Sequence, residues 1–418
     1  MICDQKDFAV EYLQAEASRC LKCKKPKCKI TCPIGTPIPE VVSLFEENRL
    51  QEAGELLFNN NPLSAICAIV CPHDDQCKGG CIRGVKGEPV SFHKIERYIS
   101  EKYLKELAIE KASDNNRRIA VVGSGPAGIT AAILLVQKGY RVTMFELRDR
   151  IGGVLTYGIP EFRLPRNIVD NLEVKLVVLG VRLKPNTTVG PVITLDKLMA
   201  DGYDAVFIGT GVWNPKTLNI KGETLGHSIY AIDYLKNPTA YHLGKRVCVI
   251  GAGNVAVDAA RTARYYGSSD VQIFYRRGVE NMTATKVEIE EAKNEGVVFN
   301  LYKSPVEVTD EGVVFASTKR ITREDGSTSV EVIPNSEELF QCDNVIIAVS
   351  QQPKSNIVST SPDLKTKQGL IVTDCHGYTT KKGVFACGDV VSGAKTVVDA
   401  VVAAKIVAGS IDEYCKTL

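Results

Sequence analysis

The strongest constraint on this chain is a pattern that occurs twice: an apolar strand, a glycine-rich turn and an apolar helix. Ile119-Ala-Val-Val122 runs into Gly123-Ser-Gly125-Pro126-Ala127-Gly128, then into helical spacing over 129–137 and a strand over 140–145. The second copy starts at Arg246-Val-Cys-Val-Ile250. It passes through Gly251-Ala-Gly253-Asn254-Val255-Ala256 into a helix and a strand over 271–275. Each copy reads as a βαβ unit, and two such units predict an α/β chain with parallel sheets. Further strand patterns lie at 204–208, before Gly209-Thr-Gly211, and at 344–349. The last segment, 383–418, reads as a strand, a turn at Gly388-Asp389 and a helix from about Thr396.

The glycines in the first turn have separable roles. Gly123 permits the tight turn, Gly125 lets backbone approach a pyrophosphate, and Gly128 lets the helix pack on the strand. The helix start after Pro126 and Ala127 offers free N–H groups to phosphate. Glu146 closes the second strand, where a carboxylate holds ribose hydroxyls. Gly152-Gly153 follows, and paired glycines there let a bulky cofactor lie against backbone. Gly388, Asp389 and Thr396 form a late turn before a helix. Together these segments predict one FAD site built from two stretches of chain. In the second turn Gly251, Gly253, Asn254 and Val255 predict a nicotinamide nucleotide site. Its strand ends in Tyr275-Arg276-Arg277 rather than in an acid. Arg276 and Arg277 can pair with a 2′-phosphate, which favours NADPH over NADH. The alternative is a solvated surface pair.

Nine of the 14 cysteines lie at or before Cys81. Cys20, Cys23, Cys28 and Cys32-Pro33 form one set, and Cys67, Cys71-Pro72, Cys77 and Cys81 a second. Closely spaced thiolates followed by Pro suit iron–sulfur ligation, and eight would serve two 4Fe-4S clusters. Structural zinc is the rival. Lys22, Lys24, Lys25, Lys27 and Lys29 surround the first set; they form either a solvated face or a collar that raises a cluster's potential and attracts an acidic partner. His73 reads as a loop residue. Helical spacing over 40–52 and 91–110, with no alternating strand pattern, makes this a small helical domain completed by metal. Cys248, Cys342, Cys375 and Cys387 show no Cys-x2-Cys pair, which argues against a dithiol–disulfide reductase.

Net charge is +2, from 51 basic and 49 acidic residues. No nucleic-acid binder follows from that balance. The uncharged run 119–136 is long enough for a span, but a Gly-Pro turn interrupts it, so no membrane segment is expected. The start, Met-Ile-Cys-Asp-Gln-Lys-Asp, has no apolar secretory core, and a cytoplasmic location is expected.

These motifs together resemble the glutamate synthase small-subunit family, which also covers the N-terminal half of dihydropyrimidine dehydrogenases. The chain is similar as well to the large subunit of NADH-dependent ferredoxin:NADP oxidoreductases. The resemblance rests on Glu16-Ala-Ser-Arg-Cys20, the cysteine sets, Gly84-Val-Lys-Gly-Glu-Pro89, Gly152-Gly-Val-Leu, Gly251-x-Gly-Asn-Val-Ala-x-Asp258, Tyr275-Arg-Arg277 and Val384-Phe-Ala-x-Gly-Asp389. It implies interleaved ligand sets: Cys20, Cys23, Cys28 and Cys81 for one cluster, and Cys32, Cys71, Cys77 and Glu96 for the other. The plain cysteine count would use Cys67 instead of Glu96. The resemblance also implies two Rossmann-like domains of the pyridine nucleotide-disulfide oxidoreductase type. The expected layout is an iron–sulfur domain over 1–112, FAD-binding segments over 113–229 and 344–418, and an NAD(P)H domain over 230–343. The implied activity is hydride transfer from NAD(P)H to FAD, then single electrons through two 4Fe-4S clusters to a catalytic partner subunit. No side chain is required as acid or base, and Lys405 and Arg163 receive no catalytic role. A self-contained reductase and a zinc-bearing docking scaffold are the competing readings.

Overall fold

The computed structural model describes residues 9–106, 112–322 and 328–418. The chain divides into two compact units. One comprises Met1–Thr156, Glu161–Val212 and Pro353–Leu418; the other comprises Tyr157–Pro160 and Trp213–Gln352.

The first unit opens with the helices Val10–Ser18, Lys27–Thr31, Ile38–Glu46, Leu50–Asn60, Ser64–Val70 and Phe92–Glu106. Their apolar faces meet in a small core of Leu13, Val41, Phe45, Leu57, Ile95 and Ile99. Cys77 belongs to that core, and Cys20 and Cys28 pack against it. The expected single helix over 40–52 is two, because Asn48 takes a left-handed conformation (φ 58) and ends the first. Asn carries that conformation at little cost, as a helix C-terminus often requires. The segment 91–110 is helical over Phe92–Glu106, and its end lies outside the described residues.

Five parallel strands follow, in the order Val384–Ala386, Ala205–Ile208, Arg118–Val122, Arg141–Phe145 and Arg182–Lys184. The three central strands have almost wholly buried side chains, as a sheet covered on both faces requires. The run 119–136 is the strand, turn and helix of this fold. Among the described residues no helix is long and apolar enough to cross a membrane. Pro126–Gln137 packs along Val397–Lys416, so the chain's last helix sits beside the first glycine turn.

The second unit carries its own parallel sheet, in the order Ser228–Tyr230, Asn344–Ile347, Arg246–Ile250, Asp270–Tyr275 and Val298–Leu301. The boundary expected after 343 is therefore misplaced. Asn344–Ile347 lies inside this sheet, with Val345 opposite Cys248, and the unit runs on to Gln352. Val345 and Ile346 are fully buried, so the strand needs a neighbour on each side. A short apolar run fits the centre of either sheet, and the sequence alone does not choose between them. The unit's start, at Trp213, also precedes the expected 230. An antiparallel sheet of Lys303–Thr309, Gly312–Thr322, Thr328–Val332 and Glu338–Gln341 was not anticipated.

Candidate cofactor and cluster sites

In the first unit the turns after three parallel strands converge, at the sheet edge where α/β folds bind ligands. Gly209 N donates to Val122 O (2.9 Å), and Cys387 N donates to Ile208 O (3.2 Å). A Cβ on Gly388 would stand 3.2 Å from the Ala127 Cβ, so the two segments expected to share one FAD do meet. A Cβ on Gly125 would meet nothing within 4 Å, which leaves open space over that backbone. Gly153 lies directly beside it. Glu146 is buried and accepts from Ser124 N (3.0 Å), Ser124 Oγ (2.5 Å) and Arg148 N (2.9 Å). Those bonds hold its carboxylate at the mouth of the turn. Thr130 Oγ1, one turn into the helix, is buried and has no hydrogen-bond partner among the described residues. An open glycine backbone, a fixed carboxylate and a free helix N-terminus suit a dinucleotide.

Asp389 starts the short helix Asp389–Ser392, and its Oδ1 accepts from Lys395 N (3.2 Å). Burial pushes its carboxyl up to about 6. Thr396 is the N-cap of Val397–Lys416. Its hydroxyl and N–H are engaged with Asp399 in a capping box, so it orders the helix start.

In the second unit Gly251 and Gly253 lead into the helix Asn254–Tyr265, with Gly253 as N-cap. The Asn254 amide reaches Glu288 (3.4 Å), and Val255 follows in the first turn. Thr318 Oγ1 donates to Arg276 O (2.8 Å), and Tyr302 N donates to Arg277 O (3.3 Å), which pins this backbone. Arg276 is exposed and Arg277 half-buried. Among the described residues neither forms an ion pair.

The cysteines gather in two places. Around the first, burial and then the neighbouring Cys81, Cys20 and Cys23 push the Cys28 thiol up to about 11. Burial also raises Cys20. Val90 N donates to Cys81 Sγ (3.5 Å). The second is a cavity lined by Cys32, Cys67, Cys71, Cys77 and Glu96. Asn61, His73, Gln76 and Val398 are also in its wall. The grouping of Cys32 with Cys71 and Cys77, and of Cys81 with the early cysteines, crosses the two sequence sets. Cys67 and Glu96 both face the cavity, so both eighth-ligand candidates are present. Burial, then Cys67, pushes the Glu96 carboxyl well up. Cys71 is raised by its bond to Cys67 and by burial, and Cys77 by burial. Cys71, Cys77 and Glu96 resist ionising alone, whereas the bond to Cys71 lowers Cys67, and a cationic occupant would offset the cost to the first three. Among the described residues no three His, Cys, Asp or Glu side chains converge on one metal ion. A four-iron cluster does not need them to, because each thiolate sits on its own iron.

Sequence reasoning missed several residues here. His73 stacks on His93 (centroids 4.3 Å apart, planes at 19°), so it is more than a loop residue. Burial pushes His73 down to about 4 and His93 to about 3, leaving both rings neutral. The one available signal was spacing: His93 precedes Glu96 by three residues on a helix. Lys405 donates to Asn60 O and so joins Val397–Lys416 to the helix ending beside Asn61.

The family model for pyridine nucleotide-disulphide oxidoreductases matches residues 117–404. That for dihydropyrimidine dehydrogenase domain II, 4Fe-4S cluster, matches 4–108. The glutamate synthase [NADPH] small chain of Escherichia coli is 31% identical, over 94% of this chain and 89% of its own length. The NAD-dependent dihydropyrimidine dehydrogenase subunit PreT of Salmonella typhimurium is 31% identical, over 96% and 93%. Among solved structures, Mycobacterium tuberculosis FprA in complex with NADPH aligns with a TM-score of 0.63 at 20% identity. It covers 72% of this chain and 85% of that one, a likeness of fold. The chain therefore belongs to the pyridine nucleotide-disulphide oxidoreductases, among the relatives of glutamate synthase small chains, and is an FAD- and iron–sulfur-dependent oxidoreductase.

Proposed function

We propose that this protein is an electron-input module that takes reducing equivalents from NADPH and hands them singly to a catalytic partner subunit. When bound, FAD accepts hydride and two 4Fe-4S clusters carry single electrons; the protein supplies orientation and electrostatics. Gly125 and Gly153 give the flavin nucleotide its backbone bed, Glu146 takes the ribose, and Asp389 closes the far side. Cys20, Cys23, Cys28 and Cys81 hold one cluster. Cys32, Cys71, Cys77 and Glu96 hold the other. Arg276 and Arg277 favour NADPH, because two guanidiniums without carboxylate partners among the described residues are available to a 2′-phosphate. A chain needing so many reduced thiolates suits the cytoplasm.

One observation carries this reading: Val398, in the helix that starts just after the Gly388–Asp389 turn, lines the cavity holding Cys32, Cys71, Cys77 and Glu96. The helix capped by Thr396, one of the residues assigned to the flavin site, thus reaches the cysteine cavity through Val398. Anaerobic NADPH titration tests it. Flavin bleaching near 450 nm should be accompanied by bleaching near 400 nm and a reduced-cluster EPR signal. Flavin reduction with no cluster reduction would leave only a flavin reductase with structural clusters.

A further inference from the structure

The two segments that carry the first cysteine group also carry exposed apolar side chains. Leu21 is 58% exposed, Ile30 76%, Ile82 46% and Val85 76%. Each lies within four residues of Cys20, Cys23, Cys28 or Cys81. The two loops carrying them touch, with Thr31 Oγ1 donating to Gln76 O (2.8 Å). Scattered apolar residues are ordinary on a surface, whereas four around one thiolate group are not. A basic rim surrounds them: Lys24, Lys25, Lys27, Arg83 and Lys86 are all exposed. Among the described residues none of these five is in an ion pair. Nearby Lys22 is held by Glu46 (2.6 Å) and Lys78 by Asp74 (2.8 Å). Glu88 is an exposed acid on the second loop.

We propose that this face docks a separate electron-accepting protein whose contact surface is apolar at its centre and acidic at its rim. The inference rests on the proposed function above and adds where and with what chemistry the partner binds. The unpaired rim selects an acidic partner and steers it in. Leu21 and Ile82, each next to a cysteine, exclude water where the electron crosses. The transfer balances: NADPH loses two electrons and a proton to become NADP+, and two one-electron acceptors are each reduced once.

The probes are an acidic plant-type [2Fe–2S] ferredoxin and a basic cytochrome c, each reduced by the holoenzyme with NADPH. The wild type should favour the ferredoxin, with kcat/KM falling as salt rises. Charge reversal by Lys24→Glu, Lys25→Glu and Lys27→Glu together should lower kcat/KM for ferredoxin by about tenfold or more, flatten its salt dependence and improve cytochrome c reduction. Ile30→Asp with Val85→Asp should weaken ferredoxin reduction through KM, with the cluster midpoint potential unchanged. NADPH-driven flavin bleaching should stay at the wild-type rate in both variants. Equal reduction of both probes, no effect of either variant, or no reduction of either probe by an enzyme whose clusters do reduce would overturn the docking face and leave the proposed function standing. Clusters that NADPH does not reduce would instead sink the proposed function, and the docking face with it. Binding to anionic phosphatidylglycerol vesicles, lost in the same variants while ferredoxin kinetics hold, would make the face a lipid contact and overturn the proposal.

Discussion

Gly153 rests against Gly125 so closely that a Cβ on Gly153 would come within 2.8 Å of the Gly125 Cα. The same residue has φ +55. Gly153→Ala should therefore add about 1–2 kcal/mol of left-handed strain and push the backbone off the turn. Purified protein should carry less than half the wild-type flavin per chain, with iron content unchanged. Full flavin occupancy would show that Gly125 and Gly153 are only a structural contact.

Glu96 and Cys67 line one cavity, and the proposed assignment makes Glu96 the ligand. Wild-type protein should contain roughly eight irons per chain with one FAD. Glu96→Ala should lose or alter one cluster by iron assay and EPR, keep its FAD, and still transfer hydride from NADPH to flavin. Cys67→Ala should keep its iron. The reverse pattern would show that the thiolates alone complete the cluster.

The arginine pair gives a nucleotide test. Arg276→Ala with Arg277→Ala should weaken NADPH binding by roughly 2–4 kcal/mol, since both lose charge-assisted bonds to the phosphate. NADH binding should change little. An unaltered NADPH/NADH preference in steady-state kinetics would reduce the pair to surface charge.

Asp389 makes stability depend on pH. Burial raises its carboxyl from the ordinary aspartate range of about 4 to about 6. Between those values the folded protein binds more protons than the unfolded chain, so this group's contribution to stability falls as pH rises from about 4 to 6 and stays low above that. Removing the charge should reverse the effect: Asp389→Asn in flavin-free protein should gain roughly 2–3 kcal/mol at pH 7.5 and nothing at pH 4. Thermal unfolding at the two pH values would show it. An equal shift at both would mean that the residue acts through packing.

Much of this was legible because certain residues permit few alternatives. Gly123, Gly125 and Gly128 between a strand and a helix allow little besides a nucleotide turn, and Cys-Pro spacing does the same for the cluster domain. Glu96 was legible only through the family resemblance, because its helix also carries Glu101 and Glu106. The sequence was silent where one pattern serves two structures. Asn344–Ile347 is equally apolar whichever sheet takes it. The break at Asn48 is a conformational choice that helical spacing on both sides conceals. Val398 looks like any buried helical valine, and its place in the cavity wall depends on a contact about 300 residues distant in sequence.

That distance has a consequence for biosynthesis. Residues up to Glu96 leave the ribosome first, yet the cavity they form lacks part of its wall until Val398 is made. At about 5–20 residues per second the gap is about 15–60 s. Iron loaded earlier would enter a site still open to water and to competing thiols. On the proposed ligand assignment, cluster insertion into this cavity is expected only after translation of the last helix.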